Sequence, residues 1–197
     1  MIPVSVSPIF RPKPKAFNAS KPRILQIGTK ANKNIPRLIL AIKEIPCTLE
    51  VIGPINDELG QLLNDNGIDY ENRTGLTDAE IVERYEACDL VSFVSTHEGF
   101  GMPIVEAQSV ERPVVTSNCS SMPEVAGAGA CLVDPYCVES IREGVKQVID
   151  DPSYRESIVA AGRSNRKRFD AELIAEQFRQ IYWQLRETPR LPSTRND

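Results

Sequence analysis

Two short stretches of the chain carry residue types suited to chemistry on a phosphate. The richer is Ser95-Thr96-His97-Glu98-Gly99-Phe100-Gly101-Met102-Pro103-Ile104-Val105-Glu106-Ala107, where two glycines flank an aromatic residue ahead of a proline placed to open a helix. Gly99 and Gly101 permit close backbone approach or an unusual φ, so the N–H groups of Phe100, Gly101 and Met102 can converge on an anion at the helix N-terminus. Glu98 precedes this cradle, and Glu106 falls about one turn into the helix at ~3.6 residues per turn. A carboxylate beside a diphosphate would be repelled, so a flanking pair makes sense as acceptors for neutral hydroxyls. A sugar, a diphosphate and a ribose in series fit the order Glu98, amide cradle, Glu106. Singly, Glu106 reads as favourable charge on a first helical turn and Glu98 as a loop hydrogen bond; the double glycine between them favours a ligand.

The second stretch is Gly28-Thr29-Lys30-Ala31-Asn32-Lys33-Asn34. It contains neither G-x-G-x-x-G nor G-x-x-x-x-G-K-[ST], so dinucleotide and P-loop readings lose their main support. It does place Lys30 and Lys33 at a helix start, where free N–H groups already favour a phosphate, although a lone lysine more commonly projects into water.

Both stretches need a frame that brings them together. From Arg23 onward short apolar runs alternate with amphipathic segments: strands at Ile24–Gly28, Thr48–Ile52, Ile68–Glu71, Asp89–Val94, Pro113–Thr116 and Cys131–Val133, with helices at Ile35–Ile42, Asn56–Asn64, Asp78–Ala87 and from Met102. This alternation implies right-handed crossovers and a Rossmann-like α/β/α domain whose parallel sheet has about six strands. Ligands bind at the carboxyl ends of such strands, which is where both stretches fall. Three further helices follow, on the stripe Val138, Ile141, Val145, Ile149, after the cap Asp151-Pro152, and on Ile174, Phe178, Ile181, Tyr182, Leu185. Residues 1–22 hold five prolines and read as an extended leader; residues 23–170 form the binding domain, 171–187 a C-terminal helix and 188–197 a flexible tail.

Composition narrows the class. The 197 residues are 41% apolar and 25% charged, the balance of a globular protein able to build a core without disulfides or a structural metal. A net charge of -4 disfavours nucleic acid as a main partner. No apolar run approaches the roughly 20 residues of a membrane span and no secretory signal opens the chain, which predicts a cytoplasmic protein. Cys47, Cys88, Cys119, Cys131 and Cys137 lack C-x-x-C spacing and read as small buried or half-buried thiols. Arg163, Arg166, Lys167 and Arg168 form a basic cluster that suits a solvated helix face more readily than peripheral contact with an anionic membrane.

At these residues the chain resembles the retaining glycosyltransferases of family 4, whose GT-B fold pairs two Rossmann-like domains across a nucleotide-sugar cleft. The resemblance is to the C-terminal, donor-binding domain. It spans about Pro3 to Leu185, through Gly28-Thr29, Lys33-Asn34, the E-x7-E signature from Glu98 to Glu106, Arg112-Pro113-Val114-Val115, Met122-Pro123-Glu124-Val125-Ala126-Gly127 and Val133-Asp134-Pro135. It implies that Glu98 contacts the transferred sugar, Glu106 holds the ribose and Lys33 neutralises the leaving diphosphate. Gly28, Thr29, Lys30, Asn34, Gly99, Phe100, Gly101, Met102 and Val105 would line the donor, with the base near Asn72, Arg73 and Thr74. The family often has a basic residue just before the lysine; here Asn32 stands there, and Lys30 is the candidate for the second charge. His97 reads as a local hydrogen bonder.

The implied donor is a UDP- or GDP-linked sugar, and the implied reaction is transfer with retention through an oxocarbenium-like state, without metal or cofactor because Lys33 and the helix N-terminus stabilise the departing charge. Acceptor recognition would belong to an N-terminal domain upstream of the linker-like leader, so the chain alone is expected to be nearly inactive. An epimerase or phosphorylase on a similar fold, and a non-catalytic interaction module, are the alternatives that the E-x7-E set argues against.

Overall fold

The structure, a computed structural model, describes residues 3–187. Six strands, β1 (Arg23–Ile27), β2 (Thr48–Ile52), β3 (Tyr70–Arg73), β4 (Leu90–Phe93), β5 (Val114–Ser117) and β6 (Cys131–Val133), form one parallel sheet in the order β3-β2-β1-β4-β5-β6. Between them run α1 (Ile35–Ile42), α2 (Asp57–Asp65), α3 (Asp78–Ala87), α4 (Met102–Ser109) and α5 (Met122–Ala126), followed by α6 (Val138–Asp150), α7 (Pro152–Asn165) and α8 (Ala171–Glu187).

Alternation along the strands sends neighbouring side chains to opposite faces, and each face has its own core. Ile24 and Leu90 join α1 residues Leu38 and Ile39 and α6 residues Ile141 and Val145; Leu25, Val91 and Phe93 join Tyr85 of α3 and Ile104 and Val105 of α4. Helices on both faces make the three-layer arrangement that the alternation of elements predicts. Strand order reverses between β1 and β4, so the loops after these two strands diverge from a crevice at their carboxyl ends.

The third strand starts later than the apolar pattern suggests. Ile68 belongs to the turn closing α2: Gly67 takes φ +63 and donates to Asn64 O, and Ile68 N donates to Leu63 O. Consequently Asn72 and Arg73, expected in the following loop, lie within β3. Short elements that the periodicity does not signal are α5 and the single 3-10 turns at Ala31–Lys33 and Arg166–Phe169.

The leader is extended and docked along the domain. Val6 N donates to Phe169 O at 3.0 Å and Phe10 is buried; Arg112 holds Lys13 O at 2.8 Å, and Asp89 accepts from Lys15 and from the N–H groups of Asn18 and Arg23. The last helix buries Ile174, while Phe178, Ile181, Tyr182 and Leu185 of its stripe remain exposed. The expected flexible tail, 188–197, lies outside the described residues. Among the described residues no helix is long and apolar enough to cross a membrane.

Candidate functional site

At the β1/β4 crevice the two stretches meet directly. Thr96 N donates to Asn32 O at 2.8 Å, tying the loop after β4 to the turn after β1. Across this junction Lys33 Nζ lies 2.7 Å from Glu98 Oε1, with both side chains about 15% exposed, at 16% and 15%. Asn32 Nδ2 donates to the same carboxylate oxygen at 3.1 Å and to His97 O at 3.0 Å. The lysine stem passes over Gly28, where a Cβ would come to 3.0 Å from Lys33 Cε, and its ammonium sits 4.6 Å from the centre of the Phe93 ring. Gly28 also takes φ +82, so the residue is a glycine on two counts.

The cradle is held from below. Ser120 Oγ donates to Glu98 O at 2.7 Å, and the single Ser121 hydroxyl donates to Phe100 O at 2.7 Å with Glu98 O also within reach at 3.0 Å, clamping the loop from the segment after β5. Phe100 packs edge-on against Phe169, 5.7 Å between centroids. Gly101 caps α4 with φ +115, and a Cβ there would meet Ile104 Cδ1 at 3.1 Å. Met102 opens α4, so its N–H belongs to the set without an intrahelical acceptor and carries the positive end of the helix dipole. Of the two freedoms the glycines permit, Gly101 uses the unusual φ; the φ of Gly99 is not positive, and a Cβ there would meet nothing within 4 Å, which leaves room for close backbone approach.

Glu106 is half-buried one turn into α4, and Tyr85 Oη donates to its Oε2 at 2.5 Å. Burial raises the Glu106 pKa above the ordinary carboxylate value; the tyrosine hydrogen bond pulls it down, and nearby Asp78 adds to the rise. The Tyr85 phenol is pushed well above its usual value, first by burial and then by the Glu106 charge. The hydroxyl is therefore the donor and the carboxylate the acceptor in this pair.

The remaining expected donor-lining residues divide sharply. Thr29 is half-buried and packs where a Cβ on Gly53 would fall, and Lys30 is exposed at the start of the turn that carries Lys33. Asn34 is buried in an αL conformation, its amide donating to Val94 O (3.0 Å) and Pro135 O (2.7 Å), so its side chain is committed to joining α1, β4 and the loop after β6. Val105 points into the core and leaves only backbone for a ligand. Asn72 donates to Val51 O and Gly53 O, and the Arg73 guanidinium holds fully buried Glu50 at 2.9 Å and Glu71 at 2.8 Å; only Thr74, exposed beyond β3, is free loop. His97 Nδ1 lies 3.4 Å from Ser120 Oγ, the local contact anticipated for it.

Comparison with known proteins decides the family. The profile of the glycosyl transferases group 1 matches residues 10–165. The chain belongs to this family. Over 167 residues this group 1 family member is 33% identical to O-antigen chain mannosyltransferase B of Escherichia coli, a match covering 78% of this chain and 43% of the relative. The chain thus spans less than half the length of that curated relative. By structure it is similar to the C-terminal domain of a glycosyl transferase group 1 family protein, LpcC, from Francisella tularensis (TM-score 0.66, 22% identity, covering 80% of this chain and 93% of that one). It is likewise similar to Anabaena Alr3699/HepE, crystallised with UDP and glucose (TM-score 0.73, 23% identity, covering 86% of this chain and 49% of that one).

At this crevice, sequence reasoning passed over Tyr85, Ser120 and Ser121 as contributors and named Asn32 only as a departure from the family pattern. Their roles depend on contacts spanning 21 to 66 residues of chain, which local spacing does not carry. A concavity of about 510 Å³ lies away from this crevice, between Pro14–Phe17 of the leader, Arg112 and α7.

Proposed function

We propose that the chain is the donor-binding half of a retaining family 4 hexosyltransferase, taking a UDP- or GDP-linked sugar. The observation that carries this reading is the Lys33–Glu98 pair at the β1/β4 crevice, beside the N-terminus of α4. A cation and free N–H groups on one side and carboxylates on the other suit a diphosphate flanked by hydroxyl-bearing rings. Lys33 faces the diphosphate, Glu98 accepts from hydroxyls of the transferred sugar, and Glu106 accepts from the ribose. When the anomeric carbon–oxygen bond breaks, negative charge grows on the diphosphate; Lys33 and the start of α4 stabilise it without requiring a metal or cofactor. The acceptor oxygen then bonds to the anomeric carbon on the same face, and its proton leaves with the nucleoside diphosphate.

The mannosyltransferase relative and the UDP-bound neighbour support a hexose nucleotide as the donor class. We assign acceptor binding to an N-terminal domain that supplies the opposite wall of the cleft. The test is calorimetric titration with uridine, guanosine and adenosine diphosphates, then with sugar conjugates of the one that binds. Saturable, base-selective binding is the expected result; binding that ignores the base or is insensitive to Glu106→Ala removes the donor-site reading. Joined to the N-terminal half of a group 1 relative, the chain should release nucleoside diphosphate in step with sugar transfer. Release without an acceptor would indicate an epimerase-like or hydrolytic chemistry instead.

A further inference from the structure

We infer that Tyr85 is the positioning residue for Glu106, and that Phe10 of the leader braces it; this rests on the ribose role proposed for Glu106. Three observations combine. Tyr85 is a fully buried phenol, and its hydroxyl reaches the carboxylate at 2.5 Å from a different helix, α3. One carboxylate oxygen, Oε2, is thereby fixed, which sets the plane of the group and leaves Oε1 for a ligand. The third is the covering of Tyr85 by Phe10, edge-on at 5.4 Å and 88°, itself only 8% exposed.

A buried polar hydroxyl without a partner is costly, and a half-buried carboxylate tends to take up a proton. Their mutual hydrogen bond answers both problems, and it keeps Glu106 an anion able to accept from two ribose hydroxyls. Nothing in core packing alone calls for a hydroxyl here, because phenylalanine would fill the same space. The placement of α3 follows from its own caps: Thr77 accepts from Glu80 N while Glu80 accepts from Thr77 N, which sets the helix start and so the turn on which Tyr85 falls.

The same leader also touches the other end of the cradle. Val6 bonds to Phe169, whose ring supports Phe100. Residues 6–10 thus brace both the ribose carboxylate and the loop that bears Glu98. Displacement of the leader is expected to loosen donor binding at both points.

The experiment is a titration of wild type, Tyr85→Phe and Glu106→Gln with uridine and guanosine diphosphates and their 2′-deoxy counterparts, with thermal unfolding of each variant. Wild type should prefer the ribonucleotide, and Tyr85→Phe should shrink that preference several-fold while the deoxynucleotide binds nearly as before. In the Glu106→Gln background the tyrosine change should alter the preference no further. Phe10→Leu should reproduce part of the loss, separating the brace from the hydroxyl. A ribose preference untouched by Tyr85→Phe, or equal loss for both sugars, overturns the role of Tyr85. A wild type that binds neither ligand, or binds both equally, overturns the assignment of Glu106 and the inference with it.

Discussion

At the scale of single residues, Lys33 and Glu98 are paired, so under the proposed roles a diphosphate has to draw Lys33 away from Glu98. Lys33→Ala should weaken a nucleoside diphosphate by about tenfold to a hundredfold, the range of a lost charge-assisted hydrogen bond at ~1.5–3 kcal/mol, and leave the nucleoside unaffected. Glu98→Gln should do the opposite for the bare diphosphate, tightening it because Lys33 loses its competing partner, while the added affinity from a sugar conjugate falls. Titration of both variants with and without the sugar checks the pair; weaker diphosphate binding by Glu98→Gln would show that Lys33 does not exchange partners. Glu106 supplies a pH signature. Its folded-state pKa lies above the ordinary value, so its contribution to stability is present at low pH and lost as pH rises through that pKa. Ribose preference should run the other way, fading as pH falls through the same value, because protonation removes the acceptor charge.

The elements explain which glycines the site can change. Gly129 and Gly162 bring two backbones together: a Cβ on Gly129 would fall 2.5 Å from Gly162 Cα and 2.6 Å from Gln108 Nε2, with no flexible side-chain end to yield on the backbone side. Gly129→Ala should therefore destabilise by about 1–3 kcal/mol, the usual cost of overpacking. Gly99→Ala, with nothing within 4 Å and no positive φ, should leave the unfolding midpoint unchanged. Denaturant curves on the two variants test this ordering. The contrast also marks what the helices contribute: the G-F-G pattern is visible in the chain, yet of its two glycines only Gly101 is required by the backbone, through the φ of +115 with which it caps α4.

Across the whole molecule, burial sorts the five cysteines. Cys47 and Cys88 are buried with thiols pushed up to about 11 and about 12, chiefly by desolvation, and Cys131 is also buried and raised. Cys137 is exposed and Cys119 half-exposed. A thiol reagent on the native protein should label Cys137 rapidly and Cys119 more slowly, and reach the other three only after denaturation, which peptide mapping would read. Early labelling of Cys88 would mean that the leader and Arg112, which cover that end of the sheet, detach readily. The same scale sets the limit on chemistry. The chain matches 43% of the relative's length, so under the proposed function donor binding is the step to expect of these residues alone, with transfer requiring a positioned acceptor.

Much of this was legible in the chain because its signals are local. A helical stripe such as Ile35, Leu38, Ile39, Ile42 and the alternation of short apolar runs specify a parallel α/β domain, and the Glu98–Glu106 pattern with Lys33 marks the candidate site. Local pattern misplaced β3 because Ile68 is apolar for the sake of a helix-closing turn, and it carries no sign that Asn34 bonds to Val94 O and Pro135 O or that Arg73 holds Glu50. Only the tertiary structure decided that Lys33 meets Glu98, that Tyr85 holds Glu106 and that the serines after β5 carry the cradle. Each depends on which strands become neighbours, and that order is set by burying two apolar faces of one sheet at once, a property of the whole chain and not of any segment.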